Sequence, residues 1–325
     1  MSDNGGTWFR EPTRGGFTTM RSVLADAEVR LASAGVASPA YDAGELMAFV
    51  LGVPRSRLVM SEPLPSAQRV PFEALLSRRL SRIPLQHLIG KTGFRRIDVL
   101  VGPGVFIPRP ESELVAEAAI RALRKVPSTE RRRRIAVDLC SGSGSLALSL
   151  AIEAGDTEMY AVEADDAAVV WTQRNIDACA DQVSEAGSTM TLVHADATAS
   201  GRDSGSLSHL VRSVDVVVCN PPYIPDWAVP RDKEVREHDP ARALYGGSDG
   251  LDVIRGVALA AAALLVPGGV FVIEHGDLQG ESDGELGVPY LLREHVDPDG
   301  EREWSKVSDH PDLTGRSRYC IAIKS

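Results

Sequence analysis

The 325-residue chain contains no long apolar run. None reaches the roughly 18 residues that a bilayer-spanning helix needs, so no such helix is expected in it. A secretory leader is not expected either: Met1-Ser2-Asp3-Asn4-Gly5-Gly6 has neither the basic start nor the apolar middle of a secretory signal, and a cytoplasmic protein is expected. Cysteine is sparse. The four present, Cys140, Cys179, Cys219 and Cys320, lie far apart and form no CxxC pair, which argues against a metal knuckle or a disulfide framework. Cys140 and Cys219 each close an apolar run, where a small buried thiol is common, so all four are read as reduced and mostly structural. Internal repeats and low-complexity tracts are lacking too.

What is present is ordinary for a soluble globular protein, with 43% hydrophobic and 25% charged residues in a chain longer than one typical domain. The charge is unevenly divided. Residues 1–134 hold 21 Lys and Arg against 13 Asp and Glu, a net of +8, whereas residues 135–325 carry a net of -18 within the overall -10. An acidic domain of that size is ill suited to a phosphate backbone, whose binding is mostly electrostatic, so stable nucleic-acid binding is not expected. The basic part either meets an acidic protein or RNA, or is a set of solvated helix faces.

Residues 1–18 are polar and rich in Gly and Thr, and disorder is expected there. Apolar residues then recur at helical spacing through Val23, Leu24, Ala27, Val29 and Leu31, and again through Ala43, Leu46, Met47, Val50 and Leu51. With breaks at Ser38-Pro39, Gly52-Val53-Pro54 and Pro63-Leu64-Pro65, the pattern predicts a helical domain of four or five short helices over 19–83. Across 84–110, Gly90, Gly93, Gly102-Pro103-Gly104 and Pro108 punctuate β-prone runs such as Ile97-Asp98-Val99-Leu100-Val101, which predicts a β-hairpin linker. A helix is expected from about Glu111 to Arg124. Beyond the arginine run 131–134, apolar runs at 135–137, 159–162, 191–193, 214–219, 270–273 and 319–323 alternate with helical stretches such as 146–153, 167–179 and 251–265. Alternation of this kind implies βαβ units and a mostly parallel sheet covered on both faces, an α/β fold occupying 111–325. The Gly-, Ser- and Asp-rich segments 198–213 and 280–300 are expected to be surface loops.

The first βα turn reads Asp138-Leu139-Cys140-Ser141-Gly142-Ser143-Gly144-Ser145. Two glycines at i and i+2 let a ligand approach the backbone where side chains would block it, although a plain turn can use the same residues. It is not the dinucleotide fingerprint, because Ala147 stands at the third glycine position. Glu163 closes the second strand 19 positions after Gly144, a spacing suited to a carboxylate that accepts two ribose hydroxyls. Asp138 would fix the loop and face the amino-acid end of the cofactor. Asp196, followed by Ala197, is placed after the third strand to accept from an adenine amine. Three acidic residues at successive strand ends suit an adenosine without phosphates, because phosphates call for basic groups or a free helix N-terminus. S-adenosylmethionine meets that description, with S-adenosylhomocysteine as product.

The fourth strand ends in Asn220-Pro221-Pro222-Tyr223-Ile224-Pro225. A planar nitrogen conjugated to a carbonyl or ring is a poor nucleophile. Two acceptors, the Asn220 side-chain oxygen and the Pro221 carbonyl, can hold its two N–H groups and present its π face. Pro221 and Pro222 have fixed φ and no N–H, which stiffens that carbonyl, and Tyr223 can stack on the flat group and exclude water. Orientation and desolvation then supply most of the rate, with no strong general base. The motif admits a glutamine amide or an exocyclic base amine and does not choose between them.

With these residues in view the chain resembles the HemK/PrmC family of glutamine methyltransferases, over roughly residues 20–325. The resemblance is carried by Asn220-Pro221-Pro222-Tyr223 together with Pro84-Leu85-Gln86-His87-Leu88-Ile89-Gly90 and Gly104-Val105-Phe106-Ile107-Pro108-Arg109-Pro110-Glu111. It continues through Leu244-Tyr245-Gly246-Gly247-Ser248-Asp249-Gly250-Leu251, Pro267-Gly268-Gly269 and Asp312-Leu313-Thr314-Gly315-Arg316. It implies a Rossmann-like class I S-adenosylmethionine methyltransferase sheet with a small N-terminal helical domain that docks the substrate. It also implies transfer of a methyl group to the glutamine amide of the Gly-Gly-Gln motif of class I peptide chain release factors, with no metal. Phe106 matches a position that closes over the cofactor, beside Asp138, Cys140, Ser141, Gly142, Ser143, Gly144, Glu163, Asp196, Ala197 and Asn220. Cys140 stands for a usual glycine, Ser145 for alanine, Glu163 for aspartate, Ser112 for threonine, and Ala197 for a bulky adenine neighbour. The competing readings are a ribosomal-protein glutamine methyltransferase and a nucleic-acid adenine methyltransferase. The second needs a target-recognition domain or a basic cleft, against a catalytic domain of net -18.

Overall fold

Proline and glycine set the boundaries of the first helices in the computed structural model, which describes residues 19–60, 62–127, 132–201 and 204–325. The disorder expected for 1–18 concerns positions outside the described residues. Helix α1 (Met20–Ser33) starts at Thr19, whose hydroxyl accepts the Ser22 N–H. Helix α2 (Pro39–Leu51) opens on a proline, which has no N–H to leave unpaired in a first turn, and stops at Gly52 with φ of 65°. A 3₁₀ turn at Arg55–Arg57, α3 (Ser66–Leu80) and α4 (Leu85–Ile89) complete a helical unit that ends at Ile89. Leu31, Leu46, Met47, Phe72 and Leu76 are its fully buried centre. Several of its arginines are engaged internally: Arg79 pairs with buried Asp42 at 2.7 Å, and Arg30 reaches Glu73 at 3.0 Å.

The second unit, from Gly90 to Ser325, opens with an antiparallel hairpin, β1 (Lys91–Phe94) and β2 (Ile97–Leu100). Arg95 in its turn binds Glu117 of α5 (Ser112–Lys125) at 2.8 Å and, at 2.6 Å, Glu153 of α6 (Ser145–Ala154). The main sheet then follows the chain as β3 (Arg134–Leu139), α6, β4 (Thr157–Glu163), α7 (Asp166–Ala178), α8 (Ala180–Glu185), β5 (Thr189–His194) and β6 (Val214–Cys219). Two short helices, α9 (Lys233–His238) and α10 (Ala241–Leu244), precede α11 (Asp252–Leu264), β7 (Leu265–Glu274), α12 (Val288–Glu294), β8 (Trp304–Pro311) and β9 (Ser317–Lys324).

The seven strands stand in the order β5-β4-β3-β6-β7-β9-β8, parallel through β7 and antiparallel at β9 and β8. Side chains alternate between two cores. Val137, Leu139, Val217 and Cys219 face α11 and α12, while Ala136, Val216 and Val218 face α5 and α6. Every residue of β6 is buried, as befits a central strand covered on both faces. Arg132 pairs with Asp215 at 2.6 Å, and Arg133 and Arg134 donate to backbone carbonyls, so this part of the arginine run braces the sheet.

Expectations differ from the structure at three places. Residues 85–89, expected within the hairpin linker, form α4 of the helical unit. Segment 280–300 is not a loop throughout: it holds a 3₁₀ stretch at Glu281–Leu286 and α12, whose Val288 and Leu292 enter the core. Seven residues are too few for a 3.6-residue period to stand out among glycine and acid. Strand β8 also went unread, because as an edge strand it is largely polar apart from the buried Trp304. Among the described residues no helix is long and apolar enough to cross a membrane.

Candidate active site

The turn between β3 and α6 carries three residues at positive φ: Cys140 at 67°, Gly142 at 58° and Gly144 at 79°. A Cβ at Gly142 would meet nothing within 4 Å, whereas one at Gly144 would press on Thr172 Cγ2 at 3.0 Å. The first glycine therefore keeps space open and the second allows α6 to pack on α7. Two α7 side chains hold the turn from behind. Thr172 donates to the Gly142 carbonyl at 2.6 Å, and fully buried Asn175 donates to the carbonyls of Ser143 and Leu100 while accepting the Leu100 N–H. Glu163, at the end of β4, accepts the Gly142 N–H on one oxygen and the N–H groups of Ala164 and Asp165 on the other, each at 2.8 Å.

Asp138 lies beneath this turn and is fully buried. One oxygen accepts the Ala147 N–H at 3.1 Å and the other has no partner, so burial pushes its carboxyl well above the usual range. The buried Ser141 hydroxyl is likewise unpartnered. Asp196 follows β5 and accepts the N–H and hydroxyl of Thr198 on a single oxygen, at 2.8 Å each.

Asn220 follows β6. Its amide nitrogen donates to the Ser112 hydroxyl at 3.2 Å, which donates in turn to Glu274 at 2.6 Å. The Tyr223 hydroxyl reaches the other Glu274 oxygen at 3.4 Å. Burial pushes Glu274 up to about 7, opposed by the Ser112 hydrogen bond and the Arg318 charge, and burial also pushes the Tyr223 phenol up. The motif's backbone is pinned as well. Ile224 exchanges hydrogen bonds with Leu244 and Gly246, and Gln279 donates to the Tyr223 carbonyl at 3.1 Å. At the rim, the Arg109 guanidinium sits 4.8 Å over the Phe106 ring and pairs with Asp239 at 2.5 Å. Burial pushes Asp239 up to about 6 against the pull of Arg109.

These elements enclose one cavity of about 310 Å³ lined by Phe106, Cys140, Ser141, Gly142, Ser143, Glu163, Asp196, Ala197, Asn220, Pro222 and Tyr223. Asp138, Gly144 and Pro221 are not among its lining residues, although Gly144 and Pro221 each adjoin one that is. Cys140, expected both as a mostly structural thiol and among the cofactor-binding residues, is half-buried and lines the cavity; all four cysteines are free thiols. Ser112, Arg242 and Tyr245 also line it; none was expected as a site residue, although Tyr245 lies in the 244–251 segment and Ser112 at a position where threonine is usual. Glu274 does carry a usable signal, an acid at the C-terminal end of a parallel strand, the same signal that marks Glu163.

The model of the PrmC N-terminal domain matches residues 22–90, and that of conserved hypothetical protein 95 matches 86–237. A release factor glutamine methyltransferase of Streptomyces coelicolor is 42% identical, the match covering 93% of this chain and 97% of that protein. One of Mycolicibacterium smegmatis is 40% identical, with 94% and 98% covered. A 4-amino-L-phenylalanine/4-methylamino-L-phenylalanine methyltransferase of Streptomyces pristinaespiralis is 33% identical, with 90% and 91% covered.

Proposed function

We propose that this chain, which belongs to the release factor glutamine methyltransferase family, methylates the side-chain amide nitrogen of the glutamine in the Gly-Gly-Gln motif of class I peptide chain release factors. The observation that carries the reading is the shared cavity: Asn220 and Tyr223 line the same space as Gly142, Glu163 and Asp196.

The residues suit S-adenosylmethionine. The unpartnered Asp138 oxygen and Ser141 hydroxyl adjoin a turn with open space at Gly142, and the Glu163 carboxylate keeps acceptor capacity beyond its three N–H bonds. In this reading Asp138, Cys140, Ser141, Gly142, Ser143 and Gly144 hold the amino-acid end, Glu163 the ribose, Asp196 and Ala197 the adenine, and Phe106 covers the whole. When bound, the cofactor supplies an electrophilic methyl group on a sulfonium.

The chain's own contribution is orientation. The Asn220 oxygen and the Pro221 carbonyl accept the two N–H groups of the substrate amide, Pro222 stiffens the turn, and Tyr223 stacks on the amide plane and keeps water out. Residues 19–83 dock the factor, 84–110 link, and 111–325 carry the chemistry, in the cytoplasm where release factors work. A second reading, a free arylamine amino acid as acceptor, draws on the 33% identical relative, and its nitrogen is planar too.

The test is labelled S-adenosylmethionine with a release factor, its Gly-Gly-Gln glutamine variant and 4-aminophenylalanine side by side. Label on the factor that disappears with the glutamine supports the first reading. Label on the amino acid, on ribosomal protein or on DNA instead would sink it.

A further inference from the structure

Glu274 is not among the residues lining the cavity, yet the contacts behind the Asn220 motif converge on it. Cys219 pairs with Ile273 across β6 and β7, so Asn220 and Glu274 are the next positions on adjacent parallel strands. Glu274 is 1% exposed. A serine hydroxyl has one proton, and that of Ser112 points to Glu274 at 2.6 Å. Ser112 can then only accept from Asn220, which fixes the amide with its nitrogen toward Ser112 at 3.2 Å and its oxygen turned elsewhere.

We propose that Glu274 is a positioning residue for the methyl transfer: through Ser112 it holds the Asn220 amide with the oxygen free to accept the substrate N–H, and through the Tyr223 hydroxyl it steadies the stacking ring. The proposal rests on the function given above. A carboxylate is required, because only a pure acceptor dictates the direction of both bonds. A protonated Glu274 has a donor as well as an acceptor, so it can donate to Ser112, whose own proton is then free to turn to Asn220. The amide is thereby free to flip and offer the substrate a donor where it needs an acceptor.

The groups facing Glu274 are Arg318 and Tyr319 of β9, Glu111 ahead of α5, Tyr223, and Cys219 of β6. Arg318 favours the carboxylate and Glu111 opposes it, and with burial the carboxyl stands at about 7. Activity should therefore change in the range where this group loses its proton.

The experiment follows kcat, KM and cofactor Kd from pH 5.5 to 9 for the full-length chain and for Glu274→Gln, Ser112→Ala and Ser112→Thr. Wild-type kcat is expected to rise about tenfold between pH 6 and 8, as one ionisation near 7 requires. Glu274→Gln and Ser112→Ala should lower kcat about 10- to 100-fold and lose that rise, with cofactor Kd changed less than about twofold. Ser112→Thr keeps the hydroxyl and should keep the rise. A rise that survives in Glu274→Gln, or a loss confined to cofactor Kd, overturns the proposal. If Glu274→Gln does not fold, Ser112→Ala, which removes one hydroxyl, carries the same decision.

If the wild type methylates no release factor, the function fails but the positioning claim is still decided by NMR. The Asn220 side-chain NH₂ signal, identified by its loss in Asn220→Ala, should titrate near pH 7 in the wild type and stay flat in Glu274→Gln. A signal that does not titrate in the wild type refutes the role whatever the substrate.

Discussion

Asn220 and Glu274 end neighbouring parallel strands and meet through a single hydroxyl, that of Ser112, which donates to the glutamate at 2.6 Å and accepts from the amide at 3.2 Å. An acid buried this deeply costs stability once ionised, and it sits beside the amide that the proposed function assigns to the substrate. The order of the motif is thus bought at the expense of the fold.

Stability should report that cost. The Glu274 carboxyl is raised from 4.5 to about 7, so between these values the unfolded chain has lost a proton that the folded chain keeps. Stability contributed by this group is full below 4.5 and falls as pH rises to about 7, after which it levels. The total is roughly 3 kcal/mol at about 1.4 kcal/mol per pH unit. Glu274→Gln removes the proton, so its urea midpoint should gain on the wild type across that window. Parallel curves would assign the pH dependence to other groups.

Replacing Asn220 by alanine should cost turnover about 10²- to 10³-fold, the range for one oriented hydrogen-bonding group, while cofactor affinity measured by calorimetry stays within a few-fold. Loss of cofactor binding in the same variant would move Asn220 from the substrate amide to the cofactor.

The two glycines of the turn between β3 and α6 should fail differently. Gly144→Ala sets a Cβ against Thr172 at 3.0 Å at φ of 79°, so thermal stability should fall, by about 1–2 kcal/mol. Gly142→Ala projects into open space, so beyond the cost of its φ of 58° the larger effect should be weaker cofactor binding. The same ranking in both assays would contradict these separate roles.

Asp239→Asn should leave the fold intact or slightly more stable near neutral pH, because it removes a buried charge whose carboxyl stands at about 6. It also unpins Arg109 from above Phe106, and the KM for S-adenosylmethionine should rise several-fold. A KM that does not move would mean that Phe106 needs no support from Arg109.

The parts of the site that were legible are those where one residue type answers one requirement. Gly142 and Gly144 are demanded by positive φ, and Glu163 closes β4 as its spacing from the turn implies. Asn220 follows the all-buried run Val214–Cys219 as expected. The supporting residues were harder to read, since Thr172, Asn175, Ser112 and Asp239 are common types whose roles arise from partners far away in the chain. Asn175 lies 75 positions from Leu100, and Ser112 lies 162 from Glu274.

The sequence by itself determined the βαβ alternation, the positions of the glycine turn and the Asn-Pro-Pro-Tyr motif, and the acids at three strand ends, because periodicity, backbone conformation and motif spacing are local. Only the tertiary structure decided that β6 lies beside β7, so that Glu274 stands next to Asn220, and that α5 delivers Ser112 between them. It likewise decided which acids face the cavity and which, like Asp138, are buried beneath it. Strand order and helix packing set these distances, and both depend on contacts between residues far apart in the chain.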